Sequence, residues 1–175
     1  MNVEHVEHVE REHIISMRVE NRSGVLARVA GLFSGRGYNI ESLTVAPTLD
    51  STISLMTIVT KGDAKIIEQI LKQLNKLVDA ISVDDLTERA HIDRDMALIK
   101  VITTFETRAE VFRIAEIFGA RVMDSTNTMY TLEVTGPGRK IEAMIYQLQT
   151  LGIDEVIRAG RIAVAREPFG ADVTE

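Results

Sequence analysis

NRSGVLARVAGLFSGRGYNIESLTV, residues 21–45, passes from a strand end through a glycine turn, an amphipathic helix and a second glycine turn into a new strand. Just before it, apolar residues alternate with polar ones from residue 15 to 20, which is the pattern of a half-buried strand. After the first glycine, apolar residues recur at helical spacing and predict one buried stripe, with Arg28 on the solvent side. The predicted stripe consists of Val25, Leu26, Val29, Leu32 and Phe33.

The junction between strand and helix carries the chemistry of this stretch. Ser23 is placed to cap the helix, and Gly24 allows a ligand or another backbone to approach without a Cβ in the way. The first-turn amides lie at the positive end of the helix dipole, where a carboxylate or phosphate is attracted. The amide side chains of Asn21 and Asn39 add donors and acceptors, and Asn39 is expected to begin the next strand. Together these groups predict a site for a zwitterion.

The composition narrows the functional class. The chain has 175 residues, a net charge of -6 and no cysteine, so thiolate catalysis, disulfides and cysteine-ligated zinc are excluded. Basic residues are scattered, so we expect no nucleic-acid partner. No apolar run approaches the roughly 20 residues that span a bilayer, and the amino terminus is acidic rather than a signal peptide. We therefore expect no membrane association and a cytoplasmic location.

Residues 1–12 carry four glutamates against one arginine and predict a mobile acidic extension. His5 and His8 could meet on one face of a helix, but an isolated short helix is marginal in water. His91 lies in a charged segment near Asp93 and Asp95, where ligation from a mobile loop is a minority outcome. We therefore predict no metal site in this chain.

The first half of the chain continues with a hairpin, a helix and a strand. Residues 40–46 and 53–60 predict two antiparallel strands joined by a turn at Pro47. A final strand is expected near residues 78–83. The intervening helix has an apolar stripe of Ile66, Ile67, Ile70, Leu71 and Leu74. The order of strand, helix, strand, strand, helix and strand matches a ferredoxin-like βαββαβ unit, which we place at residues 13–86.

Residues 87–95 are charged, lack apolar periodicity and predict a linker, after which the same order recurs in a domain at residues 96–175 that ends in a short tail. The expected elements are a strand at 98–103, a helix at 108–118, a hairpin of 121–125 with 129–135, a helix near 141–151 and an extended segment at 153–164. The first of these helices is predicted to turn Val111, Phe112, Ala115 and Phe118 inward. The predicted fold is α+β, with two consecutive ferredoxin-like domains.

Residues 21–45 resemble the ACT domain of the regulatory small subunit of acetohydroxyacid synthase, also called acetolactate synthase. The similarity continues through APTLDSTISLMTIVTKGD at 46–63 and IEQILKQLNKLVD at 67–79. In the second half it persists in length, in the order of elements and in short phrases such as AEIF at 115–118. The resemblance covers most of the chain and implies that the first domain is an ACT domain.

In this family the small subunit performs no chemistry, and two copies pair edge to edge to hold an amino acid, usually valine, at their shared interface. The resemblance implies that the amides after Gly24 bind the effector carboxylate and that asparagine carbonyls take its ammonium. One chain would contribute Asn21, Gly24, Val25 and Leu26, and its partner would contribute Asn39 and Ile40.

The resemblance also implies a homodimer that docks on the catalytic large subunit, raises its activity and makes it sensitive to valine or another branched-chain amino acid. Thiamine diphosphate, magnesium and FAD are then expected in the large subunit, with no cofactor in this chain. Two alternatives stay open: a free-standing ACT-type sensor that controls another enzyme or a transporter, and a small acylphosphatase-like hydrolase. The second is disfavoured because that chemistry places an arginine in a phosphate-cradling loop with an asparagine on an adjacent strand. The 21–24 loop offers only Arg22, in an unmatched frame.

Overall fold

The computed structural model describes residues 10–166. These residues divide between two compact units, residues 10–92 with 163–166 and residues 93–162. Residues 1–9, which make up most of the predicted acidic extension and include His5 and His8, lie outside the described residues, as does the tail from residue 167. Each unit has its own sheet and hydrophobic core.

The first unit forms a four-stranded antiparallel sheet with two helices in the predicted order. Its elements are β1 Arg11–Glu20, α1 Val25–Ser34, β2 Ser42–Pro47, β3 Ile53–Gly62, α2 Ala64–Leu74 and β4 Ala80–Asp85. The strand order is β2-β3-β1-β4, so β2 forms one edge of the sheet. The register pairs Glu20 with Ile53 and Arg11 with Gly62, which makes β1 and β3 partners over their whole length.

The core of this unit lies between the sheet and the two helices. The alternation predicted for β1 is confirmed, because Ile15, Met17 and Val19 are all buried in this core. The helical stripe is confirmed at Val25, Val29, Leu32 and Phe33. Leu26 was predicted to be buried with them and is instead 46% exposed. Its position is about 100° around the helix from Val25, which turns it away from the sheet.

The second half of the chain repeats the topology with a sheet of order β6-β7-β5-β8. Its elements are β5 His91–Ile102, α3 Arg108–Ile117, β6 Arg121–Ser125, β7 Met129–Gly136, α4 Gly138–Gln149, β8 Ile153–Arg158 and β9 Ile162–Ala165. The last strand, β9, pairs with β5. The predicted α+β fold of two consecutive ferredoxin-like units is therefore confirmed.

The inward face of α3 differs from the prediction at one position. Val111, Ile114 and Ala115 are buried, whereas Phe112 is 48% exposed. Phe112 contacts Tyr130 edge to face, with 6.2 Å between the ring centroids. The prediction was wrong because spacings of three and four residues from Val111 select Ile114 and Ala115, and they leave Phe112 on the flank of the helix.

The charged segment 87–95 was expected to be irregular, but β5 already begins at His91 within it. Its charges have distant partners: Arg158 forms an ion pair with the nearly buried Asp95, and Nε of Arg161 lies 3.6 Å from Asp93. The expected extended segment 153–164 is also two strands, because the chain turns at Gly160, whose φ is 93°. Strand β4 starts at Ala80, two residues later than predicted.

None of the helices within residues 10–166 has the length and apolar character required to cross a bilayer.

Candidate functional site

The turn that leads into α1 leaves the start of this helix open. Gly24 precedes the first helical residue with φ 84° and ψ -10°, a left-handed conformation that favours glycine. No side chain caps the helix, so the predicted capping role of Ser23 is wrong. Gly24 occupies the cap position, and Ser23 lies one residue before it. The amides of Leu26 and Ala27 donate to no backbone carbonyl among the described residues. Without an acidic side chain in the first turn, this corner attracts anions.

Arg28, predicted to face solvent, forms a two-pronged pair with Asp79, a residue 51 positions later in the chain. Its Nε and Nη2 donate to the two carboxylate oxygens of Asp79 over 2.7 Å and 3.0 Å. Asp79 lies in the turn before β4 and is only 6% exposed, whereas the Arg28 side chain is about half exposed. The pair therefore ties α1 to the turn after α2.

Asn21 follows β1 at the same end of the sheet as Gly24. Its Nδ2 donates to the carbonyl oxygen of Ser51 over 2.8 Å, which leaves the side-chain oxygen available as an acceptor. The neighbouring Arg22 pairs with Glu20 at 3.2 Å. An open depression of about 450 Å³ lies here, and of the six predicted effector residues only Asn21 lines it. Its lining consists of Glu20, Asn21, Arg22, Ser51, Thr52, Ile53 and Ile81.

Asn39 lies at the opposite end of the same sheet. It precedes β2, which begins at Ser42, so the expectation that Asn39 starts the strand is corrected by three residues. Its carbonyl oxygen accepts the hydroxyl of Thr60 over 2.7 Å, and its Nδ2 donates to Glu41 over 2.8 Å. Ile40 is partly buried and packs against the core. The Asn39 side chain is thus exposed and held three residues before an edge strand.

The register of β3 measures how far apart the two asparagines lie. The backbone amide of Asn21 donates to the carbonyl oxygen of Thr52, and Asn39 is bonded to Thr60, eight residues further along the chain. At about 3.3 Å per residue, the two positions are separated by roughly 25 Å. One chain therefore brings together Asn21, Gly24, Val25 and Leu26, but it does not bring them to Asn39 and Ile40.

A buried histidine in this unit was not singled out from the sequence. His13 is 2% exposed, and its Nδ1 lies 2.8 Å from Oδ2 of Asp85, which is 72 residues away. Burial raises the pKa of Asp85, but hydrogen bonds from the side chain and backbone of Thr87 and from His13 outweigh it, so the pKa lies below its usual value. The only sequence signal for this buried histidine is that a polar residue, His13, directly precedes the apolar residues of β1.

Residues 10–166 contain no group of three or more acidic or histidine side chains arranged to hold a metal ion. His91, which was weighed as a ligand, lies in β5 with Nδ1 2.8 Å from the carbonyl oxygen of Arg89.

Two family models match the chain, and together they cover both halves. The model described as the AHAS small subunit-like ACT domain matches residues 15–82. The model described as the small subunit of acetolactate synthase matches residues 94–167. The first match contains every residue that we predicted to bind an effector.

Similar proteins carry the same description. The acetolactate synthase small subunit of Aquifex aeolicus is 50% identical over 158 residues, which cover 90% of this chain and 82% of that protein. The acetolactate synthase isozyme 3 small subunit of Salmonella typhimurium is 49% identical over 154 residues, 87% of this chain and 94% of that protein. The crystal structure of the acetolactate synthase small subunit from Thermotoga maritima superimposes with a TM-score of 0.80 at 40% identity, covering 90% of this chain and 99% of that one. The chain therefore belongs to the family of acetolactate synthase small subunits, which are regulatory rather than catalytic.

Proposed function

We propose that this chain activates an acetolactate synthase catalytic subunit and confers feedback inhibition by valine on it. We assign effector binding to the ACT domain at residues 13–86 and leave the domain at residues 96–175 for stability or for contact with the catalytic subunit. The observation that carries the proposal is the family membership. It is supported by the positions of the two predicted groups of effector residues, which we treat as two half-sites, at opposite ends of one sheet.

The separation of the half-sites favours a site shared by two copies of the chain. Strand β2 is an edge strand whose start is level with Val59 and whose end is level with Ser54. If two β2 edges pair antiparallel about a two-fold axis, the start of one strand meets the end of the other. That pairing brings Asn39 of one copy toward the end of the sheet where Asn21 and Gly24 of the other copy lie.

The position of α1 supports the same arrangement. Helix α1 connects β1 to the edge strand β2, and α2 connects β3 to β4 at the opposite edge, so α1 lies on the half of the sheet nearer β2. The exposed apolar side chains Leu26 and Val45 lie on α1 and β2, where a partner copy would cover them. An edge strand with exposed apolar residues is a ready surface for pairing. We propose a homodimer formed through this edge.

In the shared site, the valine carboxylate accepts hydrogen bonds from the amides of Leu26 and Ala27. The ammonium donates to the side-chain oxygens of Asn21 and of Asn39 from the partner copy, and Leu26 with Ile40 contacts the aliphatic side chain. Hydrogen bonds to charged groups contribute about 1.5 to 3 kcal/mol each, which supports micromolar or weaker affinity after the costs of binding. A feedback sensor requires no tighter binding.

Feedback requires that valine bind one state of the complex better than another, with a typical coupling of about 1 to 3 kcal/mol. The chemistry itself belongs to the large subunit, which we propose holds the thiamine diphosphate, magnesium and FAD. This chain then acts only through the equilibrium between states of the complex.

The test is reconstitution with the purified catalytic subunit. We expect the chain to raise turnover and valine to reverse part of the gain, with leucine and isoleucine in parallel assays ranking the effectors. Absence of both effects would exclude the function.

A further inference from the structure

The guanidinium group of Arg28 has one nitrogen directed at the candidate effector site. Its other two nitrogens, Nε and Nη2, bind Asp79, and Nη1 takes no part in that pair. Nη1 instead lies 3.1 Å from the position that a Cβ on Gly24 would occupy. The space that the missing side chain leaves at Gly24 is therefore within hydrogen-bond distance of a cationic donor.

The orientation of this donor is fixed rather than incidental. Arg28 is one helical turn after Gly24, and its amide donates to the carbonyl oxygen of Gly24 over 3.0 Å. The two bonds to Asp79 define the plane of the guanidinium group, because a bidentate pair leaves it little rotational freedom. Asp79 is in turn nearly buried, and its carbonyl oxygen accepts the amide of Glu20 over 2.9 Å. The end of β1, the start of α1 and the turn before β4 thus converge on one side chain.

We infer that Arg28 is an additional effector-binding residue, with Nη1 donating to the effector carboxylate, and that Asp79 is the positioning residue that orients it. This inference rests on the proposed valine-binding function. It adds a side chain to the effector-binding groups already proposed, which are the backbone amides of α1 and the two asparagines. The carboxylate receives a third donor from the side, next to the two backbone amides of Leu26 and Ala27. Gly24 is then required both for its backbone conformation and because a Cβ would crowd the carboxylate against Nη1.

The charge of the Arg28 and Asp79 pair determines what the site selects. The carboxylate of Asp79 offsets the guanidinium charge, so the site does not present a free cation to every anion. It presents a directed donor for a carboxylate that also fits the amides of α1. Replacing the effector carboxylate by a neutral amide removes the charge-assisted bond without changing the aliphatic part of the ligand, which makes valinamide the informative probe.

The experiment compares valine with valinamide by titration calorimetry of the full-length chain and two variants. Arg28→Met keeps an apolar stem and removes the guanidinium group. Arg28→Lys keeps a cation that can pair with Asp79, and it folds even if the methionine variant does not, but it has no Nη1 to reach Gly24. For both variants we expect the preference for valine over valinamide to fall by about ten-fold or more, as expected for loss of one charge-assisted hydrogen bond.

A purely structural role of Arg28 would weaken both ligands by the same factor, so an unchanged preference in the variants overturns the assignment. An unchanged preference in Arg28→Lys alone also overturns it, because charge without geometry would then suffice. If the unaltered chain binds no valine, the proposed function itself fails, which is a different and separately visible outcome. Asp79→Asn supplies the check on positioning: we expect it to reduce the same preference while the guanidinium group is retained.

Discussion

The junctions β1–α1 and β5–α3 occupy the same place in the two repeated halves, but only the first leads into a helix without an acidic side chain in its first turn. In each half, the helix-facing row of the central strand ends in a polar residue. The first row is Ile15, Met17 and Val19, followed by Asn21, and the second is Ala97, Ile99 and Val101, followed by Thr103. The two polar residues are therefore topological equivalents, although Asn21 is exposed and Thr103 is buried.

The two junctions differ in the residues between this polar position and the helix. After Asn21, the left-handed Gly24 opens the start of α1 and no acidic side chain is present in its first turn. After Thr103, the amide of Thr104 donates to the hydroxyl of Thr107 over 2.9 Å, and Glu110 lies in the first turn of α3. A carboxylate at that position disfavours a second anion. We therefore place the effector site in the first half only, because function depends on the residues of a site and not on the topology that the two halves share.

The largest expected effect comes from a charge placed in the first junction. Gly24→Asp adds a Cβ 3.1 Å from the Nη1 of Arg28 and attaches a carboxylate to it, where we place the effector carboxylate. Calorimetry should therefore show valine affinity reduced by about 100-fold or more. The matched control is Gly24→Asn, which has nearly the same size and tolerates a positive φ but carries no charge. We expect its loss to be at least about ten-fold smaller. Equal losses would show that bulk, and not charge, is what the corner rejects.

A smaller effect is expected when each of the two equivalent polar residues, Asn21 and Thr103, is replaced by an apolar one. Asn21→Ala removes one acceptor for the effector ammonium, so valine should bind about ten-fold more weakly. Thr103→Val, an isosteric change at the equivalent position of the second half, should leave valine affinity within about two-fold of the unaltered chain. Calorimetry on both variants shows which half of the chain binds valine. A loss of valine affinity in Thr103→Val as large as that in Asn21→Ala would mean that the second junction also contributes to binding.

The smallest effect concerns how the two halves tie their central strand to a neighbour. The first half uses Asp85 with His13 and Thr87, whereas the second uses Asp95 with Arg158. Because the pKa of folded Asp85 is lowered, its stabilising effect is present above the pKa of the unfolded chain and is lost as the pH falls through the folded value.

Asp85→Asn should therefore lower the free energy of unfolding by about 1 kcal/mol at pH 6. This value lies toward the lower end of the range for hydrogen bonds to charged groups, because Asp85 is partly exposed. The gap from the unaltered chain should close as the pH falls below about 4. Urea unfolding across this pH range measures the difference in free energy of unfolding between the two proteins. A gap that is constant with pH would assign the effect of the substitution to packing rather than to ionisation.

Local patterns predicted the order of elements and most of the core, because strand and helix periodicities depend only on neighbouring residues. They placed Val25, Val29, Leu32 and Phe33 correctly and failed at Leu26 and Phe112. A stripe defined by apolar character alone cannot separate the face of a helix from its flank. The exposure of Leu26 in a single chain is explained if a partner chain covers this residue in the proposed homodimer.

The features that the sequence could not predict depend on residues that are distant along the chain. Arg28 was expected in solvent because its partner Asp79 is 51 residues away. The start of β5 was missed because its aspartates are neutralised by arginines more than 60 residues later. The six predicted effector residues and their division between two chains came from a family resemblance. The sheet register adds the distance between the two groups within one chain, which is roughly 25 Å.

The most direct measurement of the shared site is a mixing titration with two variants. Gly24→Asp damages one half-site, and Asn39→Lys damages the other by setting a cation against the effector ammonium. In a mixed dimer, one of the two sites combines the intact half of each chain. After the two proteins are mixed in equal amounts and exchanged, calorimetry should show valine sites of unaltered affinity, at about a quarter of the number in the unaltered dimer. If the mixture binds no better than either variant alone, the effector site does not lie between two copies of this chain.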